Sequence, residues 1–515
     1  MKRSGIFCFL LTLAIALPAR GDDLPNIIYI LADDMGIGDV SCYNEEAKLS
    51  TPHIDRMAAE GMRFTDAHTP SAVCTPTRYG ILTGRYCWRT RLKYRVLDGF
   101  DPPMIEQGQV TVPTLLSDAG YDTHCVGKWH LGMTWTDRDG NPMPAVPLDR
   151  REPPRPGHEV DYTVPVKGGP IDVGFDTYFG ISASLNMSPF CYLVNDRPYR
   201  LPVLKQEPIR TEFVTVDEGV RSPDFTIYGV LPRLAGETVS IIEHQAADRP
   251  EKQFFIYAPL TSPHLPVVPN QEYLGRSNAG EYGDFVEETD AFVGAVLETL
   301  DRTGIADETL VIFTCDNGSL YHWWEAKETD DVKHYQIRGR GAQMKEYGHQ
   351  GNRHLRGTKA DIWEGGHRVP FVVRWPGKTP VGAVSDELIE LTDLLATCAA
   401  ITGRELPNGA GEDSRNALPA FLKVKPESPV RDFAVHHSLW GEFAIRQGPW
   451  KMIPHRGSGG FSQPRDIDPT KEGGPPGQLY HLADDPSETK NVWDEHPEVV
   501  ERLGKLLKQV QGDDA

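Results

Sequence analysis

Asn26-Ile27-Ile28-Tyr29-Ile30-Leu31, followed at once by Ala32-Asp33-Asp34-Met35-Gly36, is the stretch that decides the fold. An unbroken apolar run of this length is the pattern of a strand buried on both faces in a parallel sheet; a strand with one wet face would alternate. The run ends abruptly in two carboxylates. The same arrangement recurs along the chain. Tyr121 to Val126 reads as a strand leaving through Gly127-Lys128-Trp129-His130-Leu131-Gly132. Gln253 to Tyr257 leaves through Pro259-Leu260-Thr261-Ser262-Pro263-His264, and Thr309 to Thr314 through Cys315-Asp316-Asn317-Gly318.

Helical patterns separate these runs. Thr51-Pro52 opens one through Ile54, Met57 and Ala58 to Gly61, and Thr111 to Ala119 carries Pro113 early and Gly120 as its stop. Phe285, Phe292, Val293, Val296 and Leu300 mark a third. The alternation predicts an α/β fold, a doubly wound, mixed but mostly parallel sheet with helices on both faces. After Leu406-Pro407-Asn408-Gly409 the composition changes. Phe433 to His436, Phe443 to Arg446 and Trp450 to Ile453 read as short antiparallel strands, and Pro497 opens a last helix with Val499, Leu503, Leu506, Leu507 and Val510 on one face. We therefore expect a main domain over 22–415 and a smaller C-terminal α+β subdomain over 416–515.

Residues 1–21 read as an export signal: Lys2 and Arg3, an apolar run from Ile6 to Leu17 too short to span a bilayer, and Ala19-Arg20-Gly21 as the cleavage site. Cys8 lies inside that run, which argues against a lipoprotein anchor, and no later run is long enough for a membrane span. The expected location is periplasmic or secreted. With 53 basic against 73 acidic residues the net charge is −20, and no basic block is present to hold nucleic acid. An anionic substrate must be caught by a few local cations against the overall field. Seven cysteines remain beyond Cys8, an odd number that leaves at least one sulfur unpaired, and no CxxC spacing suggests a zinc site.

In an open α/β sheet, ligands bind outside the carboxyl ends of the strands, so the four polar exits should converge. Asp33, Asp34, Asp316 and Asn317 offer hard oxygen donors without histidine or thiolate, a set suited to Ca²⁺ or Mg²⁺. Taken singly, Asp-Asp and Asp-Asn-Gly are equally good turn sequences. Lys128 and His130 sit at alternate positions and, if extended, share a side, a cation for an oxyanion beside a proton carrier; His264 lies among prolines that would hold a general acid still. A solvated lysine and capped histidines are the bland readings of the same residues.

Ala72-Val73-Cys74-Thr75-Pro76-Thr77-Arg78 stands apart. Thr75 as N-cap, Pro76 at the first helical position and Gly84 as the stop predict a short helix with Cys74 at its N-terminus, where orphan N–H groups favour an anion. Cys74 reads as a buried structural thiol, a redox or nucleophilic thiolate, or a modified residue.

Cys74-Thr75-Pro76-Thr77-Arg78 with Thr83-Gly84-Arg85 resembles the Cys-x-Pro-x-Arg signature of the type I, formylglycine-dependent sulfatases, arylsulfatase-like enzymes. The resemblance extends in order through Leu31-Ala32-Asp33-Asp34, Gly127 to Gly132, Ser262-Pro263-His264, Asp316-Asn317-Gly318, Arg356-Gly357-Thr358-Lys359 and Trp363-Glu364-Gly365-Gly366-His367-Arg368-Val369-Pro370. It continues to Leu479-Tyr480-His481-Leu482 with Asp485-Pro486 and Glu488, and so covers about residues 25 to 495. It implies an alkaline-phosphatase-like fold and conversion of Cys74 to Cα-formylglycine by a separate maturation enzyme. It also implies one Ca²⁺ on Asp33, Asp34, Asp316, Asn317 and the modified residue 74. Arg78 would hold the modified residue, and Lys128, Lys359 and His264 would grip sulfate, with Ser184 in Gly180-Ile181-Ser182-Ala183-Ser184 a looser match near it.

The implied chemistry is attack on sulfur by a hydrated aldehyde, with His264 as proton donor to the leaving alcohol and His130 as base for the release of sulfate. The expected activity is a sulfuric ester hydrolase on sulfated carbohydrate or aryl sulfate. Two alternatives compete with it: a phosphonate or phosphate ester hydrolase on the same site, and a silent carbohydrate-binding protein retaining the Cys74 thiol. The chain departs from the simplest family pattern in two insertions, Asn141 to Pro170 and Leu320 to Gly348, the latter with Trp323, Trp324, Tyr335 and Arg338 as either pocket wall or packing. His349 and Asn352 are placed to reach toward the site.

Overall fold

The computed structural model describes residues 24–147, 155–324, 340–468, 470 and 473–512. The export signal, part of the first insertion, and Tyr335 and Arg338 of the second lie outside the described residues. The founding strand β1 (Asn26–Ala32) is buried throughout. Its alternate side chains divide the molecule, with Ile27, Tyr29 and Leu31 entering one apolar core and Ile28, Ile30 and Ala32 another. That division is why the run is apolar without interruption, since both faces of the strand are interior.

The helix α1 (Pro52–Glu60) follows, then the short strand β2 (Met62–Phe64), helices α2 (Cys74–Thr83) and α3 (Val112–Asp118), and strands β3 (Asp122–Lys128) and β4 (Thr177–Ile181). Two short strands, β5 (Leu193–Val194) and β6 (Arg197–Pro198), lead to α4 (Val230–Asp248), β7 (Phe254–Pro259), α5 (Gly280–Thr303), β8 (Thr309–Cys315), β9 (Phe371–Arg374), β10 (Ala383–Ser385) and α6 (Leu394–Thr402). The ten strands form one mixed sheet in the order β10-β2-β9-β8-β1-β7-β3-β4-β5-β6. Its centre, β8-β1-β7-β3-β4, is parallel, with Ile28 opposite Ile256 on one side and Val311 on the other. Helices α2, α3 and α6 cover the face of Tyr29 through Leu82, Leu116 and Leu395. Helices α1, α4 and α5 cover the other through Met57, Leu234 and Phe292.

The C-terminal part forms a separate antiparallel sheet of β11 (Ala434–His437), β12 (Phe443–Gln447), β13 (Trp450–Ile453) and β14 (Gln478–His481). Val499, Leu503 and Leu507 of α7 (Pro497–Gln511) pack on it together with Tyr86 and Trp88 from the segment after α2.

Two local expectations are corrected. Thr75 does not cap α2, and Pro76 is not its first residue; Val73 in extended conformation is the N-cap and Cys74 the first helical residue. The Thr75 hydroxyl instead accepts from the Leu97 N–H at 3.3 Å, a tertiary contact that outcompetes local capping. Strand β3 runs on through Lys128, and His130 adopts φ +56, so the two side chains are not placed by strand alternation. Their common location comes from the turn after the strand.

Candidate functional site

Backbone hydrogen bonds tie the carboxyl ends of β1, β7 and β8 together and that of β3 to the segment after β4. The Asp33 N–H donates to the Ser262 carbonyl at 2.9 Å, Asp316 N–H to Ala32 at 3.2 Å, and His130 N–H to Ser182 at 2.9 Å. Lys359 joins from a loop and Cys74 from the start of α2, with Lys359 N–H donating to Ser319 at 3.2 Å and Ala360 N–H to Ala72 at 2.8 Å. Gly318 permits this crowding, since a Cβ there would stand 1.9 Å from the Gly365 carbonyl oxygen.

Around these exits the structure assembles a buried ionic cluster. Lys128 Nζ lies 2.6 Å from Asp33 Oδ2, and Lys359 Nζ 2.6 Å from Asp34 Oδ1. Arg78, wholly buried, donates from Nε to Asp316 Oδ2 at 2.9 Å and from Nη1 to the Lys128 carbonyl at 3.0 Å, while its Nη2 lies 2.8 Å from Asp316 Oδ2 and 3.3 Å from Asp33 Oδ2 as an ion pair. Asn317 Nδ2 donates to Asp34 Oδ1 at 2.8 Å. Cys74 is buried beside Lys128 and Lys359 at the start of α2, and its burial raises the thiol above its ordinary value against those two cations. Burial would raise Asp33 too, but Lys128, His264 and Arg78 hold its carboxyl well below the usual range. Asp316 is pushed up to about 6 by burial and by the neighbouring Asp33.

Three buried oxygens in this cluster receive no hydrogen bond: Asp33 Oδ1, Asp34 Oδ2 and Asn317 Oδ1. Ligand atoms of Asp33, Asp34 and His264 lie within 4.8 Å of one another. Buried acceptors without donors are costly unless something positive reaches them, and an all-oxygen set fits a hard divalent cation.

Each histidine has a defined tautomer, because carbonyls only accept. His130 donates from Nε2 to the Leu97 carbonyl at 2.9 Å and leaves Nδ1 buried without a partner. His264 donates from Nδ1 to the Leu265 carbonyl at 2.6 Å, which turns Nε2 toward Asp34 Oδ2 at 3.8 Å. Burial holds both imidazoles below their ordinary value, His264 at about 4 with Lys359 adding to the effect.

Ser184 is buried with its hydroxyl unpartnered, but it makes no hydrogen bond to the cluster. His349 and Asn352 brace the site without entering it. His349 Nε2 contacts Asp39 Oδ1 at 2.8 Å, Asp39 Oδ2 accepts from Tyr282, and Asn352 spans the backbone of Ser319 and Gly357. Trp324 is buried with the Arg356 guanidinium 5.6 Å from its ring, and Trp323, partly buried, packs against the core on the Ile28 face of the sheet, so both side chains pack the segment onto the body. Leu97 and Asp39 had no signal in the sequence, as neither lies at a strand exit.

A model of the sulfatase family matches residues 25–404. An N-acetylgalactosamine-6-O-sulfatase of Bacteroides thetaiotaomicron is 33% identical over 516 residues, covering 95% of this chain and 93% of that protein. Human arylsulfatase A is 30% identical over 523 residues, covering 98% and 90%. A solved structure from work on the metabolism of multiple glycosaminoglycans by Bacteroides thetaiotaomicron superposes with a TM-score of 0.78 at 30% identity, over 95% of this chain and all of that one. No described helix is long and apolar enough to cross a membrane.

Proposed function

This chain belongs to the sulfatase family and is a sulfuric ester hydrolase, and from that premise we propose that it removes sulfate from a sulfated carbohydrate, using a residue matured from Cys74 by a separate enzyme. Asp33, Asp34, Asp316 and Asn317 would hold a Ca²⁺ ion beside it. The observation that carries this reading is the set of buried, donor-free oxygens on Asp33, Asp34 and Asn317 within reach of Lys128, Lys359 and Cys74. When present, the ion and the Cα-formylglycine at position 74 supply a fixed positive charge and a hydrated-aldehyde oxygen as nucleophile.

The remaining work falls to side chains of the chain itself. Lys128 and Lys359 present ammonium groups to the sulfate oxygens, where negative charge grows as sulfur is attacked; fixed charges in a dry site need no reorganisation there. Arg78 keeps Asp33, Asp316 and the Lys128 backbone in register with the first turn of α2. His130 has a free lone pair at Nδ1 and would act as the base that takes a proton from the matured residue 74 when sulfate is released. His264 protonates the leaving alcohol from Nε2 after taking up a second proton, which an anionic ester beside it favours. Ser184, buried and unpartnered, serves as a further sulfate contact.

The test is mass spectrometry of the tryptic peptide Phe64 to Arg78 from protein co-produced with a maturation enzyme, alongside turnover of an aryl sulfate. Loss of the alkylatable thiol in proportion to activity is expected. A fully active preparation in which every Cys74 alkylates would overturn the reading.

A further inference from the structure

Lys359 reaches the cluster from a loop, so something must fix where its ammonium stands. Asn352, wholly buried, lies where three loops of the site meet. Its Oδ1 accepts from the Ser319 N–H at 2.9 Å, and its Nδ2 donates to the Ser319 carbonyl and to the Gly357 carbonyl, each at 3.1 Å. The amide cannot be turned over, since an N–H only donates and the two carbonyls only accept. Both amide hydrogens are thereby committed, and the side chain has no donor left for a substrate.

The groups it joins stand close in sequence to the reaction centre. Ser319 comes two residues after Asn317 at the exit of β8, and Gly357 two residues before Lys359. The Ser319 carbonyl that takes one amide hydrogen also accepts the Lys359 N–H at 3.2 Å, so its two lone pairs go to Asn352 and to Lys359. The third loop enters through Gly36, two residues after Asp34, where a Cβ would lie 2.0 Å from Asn352 Oδ1. Asn352 is itself held at its backbone: its N–H donates to His322 Nδ1 at 3.2 Å, and His322 Nε2 donates to the Leu355 carbonyl at 2.9 Å. Beyond Lys359 the loop is fastened to the other side of the site, where Ala360 N–H donates to the Ala72 carbonyl, and to the C-terminal part, where Asp361 Oδ1 accepts from the Ser462 N–H at 3.0 Å. Lys359 Nζ stands 2.6 Å from Asp34 Oδ1, the oxygen that also accepts from Asn317 at 2.8 Å. Misplacing a group of this kind by about 1 Å can cost about 10²-fold in rate.

We propose that Asn352 is a positioning residue for the sulfate grip: it fixes the Lys359 ammonium relative to the oxygens of Asp34 and Asn317, and so acts on turnover through Lys359 while touching neither sulfate nor the ion. The inference rests on the reading of Lys359 as a sulfate contact given above. It differs from a mere staple between loops in requiring that the effect of losing Asn352 disappear once Lys359 is gone.

The experiment makes Asn352→Ala alone and in the backgrounds Lys359→Ala and Lys128→Ala. It measures aryl sulfate turnover per folded molecule of matured protein, and calorimetric binding of inorganic sulfate to the calcium-loaded Cys74→Ala chain. In the parent, Asn352→Ala should lower kcat/KM and sulfate affinity about tenfold, the scale of one charged hydrogen bond. With Lys359→Ala the same substitution should change neither by more than about twofold, whereas with Lys128→Ala the full loss should persist. Calcium affinity of the Cys74→Ala chain should stay within about twofold, because Asp34 and Asn317 keep the hydrogen bond between them. Asn352→Asp, which keeps the shape and loses both donors, should give the same pattern in the two lysine backgrounds and stands in if the alanine variant does not fold. Equal losses in both backgrounds, a calcium affinity that falls in step with turnover, or a lowered melting temperature with turnover and sulfate affinity intact would each overturn the proposal. Unchanged turnover and sulfate affinity in Lys359→Ala alone would instead overturn the reading of Lys359 as a sulfate contact.

Discussion

Two buried ionic clusters in this molecule end their hydrogen bonds differently. At the strand exits, Asp33, Asp34 and Asn317 keep acceptor oxygens with no donor, in the cluster that holds Lys128, Lys359 and Cys74. Under the C-terminal sheet, His68, His367, Lys451, Glu364 and Asp66 form a connected line, and His436 stacks on His367 with its Nδ1 donating to the Thr69 carbonyl at 3.1 Å and its Nε2 without a partner. Lys451 Nζ donates to His367 Nε2 at 3.0 Å, His367 Nδ1 to His68 Nδ1 at 3.0 Å, and His68 Nε2 to Asp66 Oδ1 at 2.9 Å. The tautomers follow from the ends, since an ammonium only donates and a carboxylate only accepts.

This second cluster has three imidazoles with ring nitrogens within 4.8 Å of one another, superficially a metal site. Yet the rings of His367 and His436 stack at 3.8 Å and 10°, so their in-plane lone pairs lie in parallel planes and do not converge. Lys451 adds a positive charge at 2.8 Å from Glu488 and 3.1 Å from Glu364. Buried titratable groups therefore mark a ligand site only where valences are left over and aim at one point. The first cluster leaves three oxygens free, whereas the second leaves His436 Nε2 and a Glu488 Oε1 that lies 2.8 Å from Lys451, and it fastens the C-terminal sheet to the body.

The contrast can be broken by substitutions that should act on turnover in one cluster and on stability in the other. Cys74→Ala should lower sulfate ester turnover by about 10⁴-fold or more with an unchanged melting temperature, as loss of a nucleophile does elsewhere. Lys451→Met, measured by chemical denaturation, should cost about 3–5 kcal/mol because it strands Glu364 and Glu488 without their cation, while turnover per folded molecule persists. Lys359→Ala should reverse that pattern, lowering kcat by about 10²–10³-fold, the effect of removing one charge-stabilising donor. Calcium at about 100 times its dissociation constant should stabilise the chain by about 2.7 kcal/mol and chelation should remove both that gain and activity; an unaltered melting curve would count against an ion on Asp33 and Asp34.

The smallest effect concerns acid. Burial holds the imidazoles of His68, His367 and His436 below their ordinary value and His437 at about 4. The unfolded chain then takes up protons first as the pH falls, so stability is full above about 6.5 and declines toward pH 4. Denaturation midpoints compared at pH 7.5 and 5 check this, and His437→Asn should flatten the slope.

The sequence alone determined four strands of the sheet's parallel centre, β1, β3, β7 and β8. Apolar runs that never alternate require burial on both faces, and that requirement is local enough to read from one strand at a time. It also brought forward residues that the structure gathers in one buried cluster, because ligands gather at strand exits, and Asp33, Lys128 and Asp316 stand at strand ends with His264 in the loop after one. Tertiary structure decided what pairing in sequence could not. Thr75 gave up its cap to Leu97, and His130 took a left-handed backbone rather than strand alternation. His349 became a brace on Asp39, and Trp440 found arginines from segments 345 residues before it and 25 after. Hydrogen bonds and charges act over a few ångströms in space, so their partners are fixed only when the chain has folded.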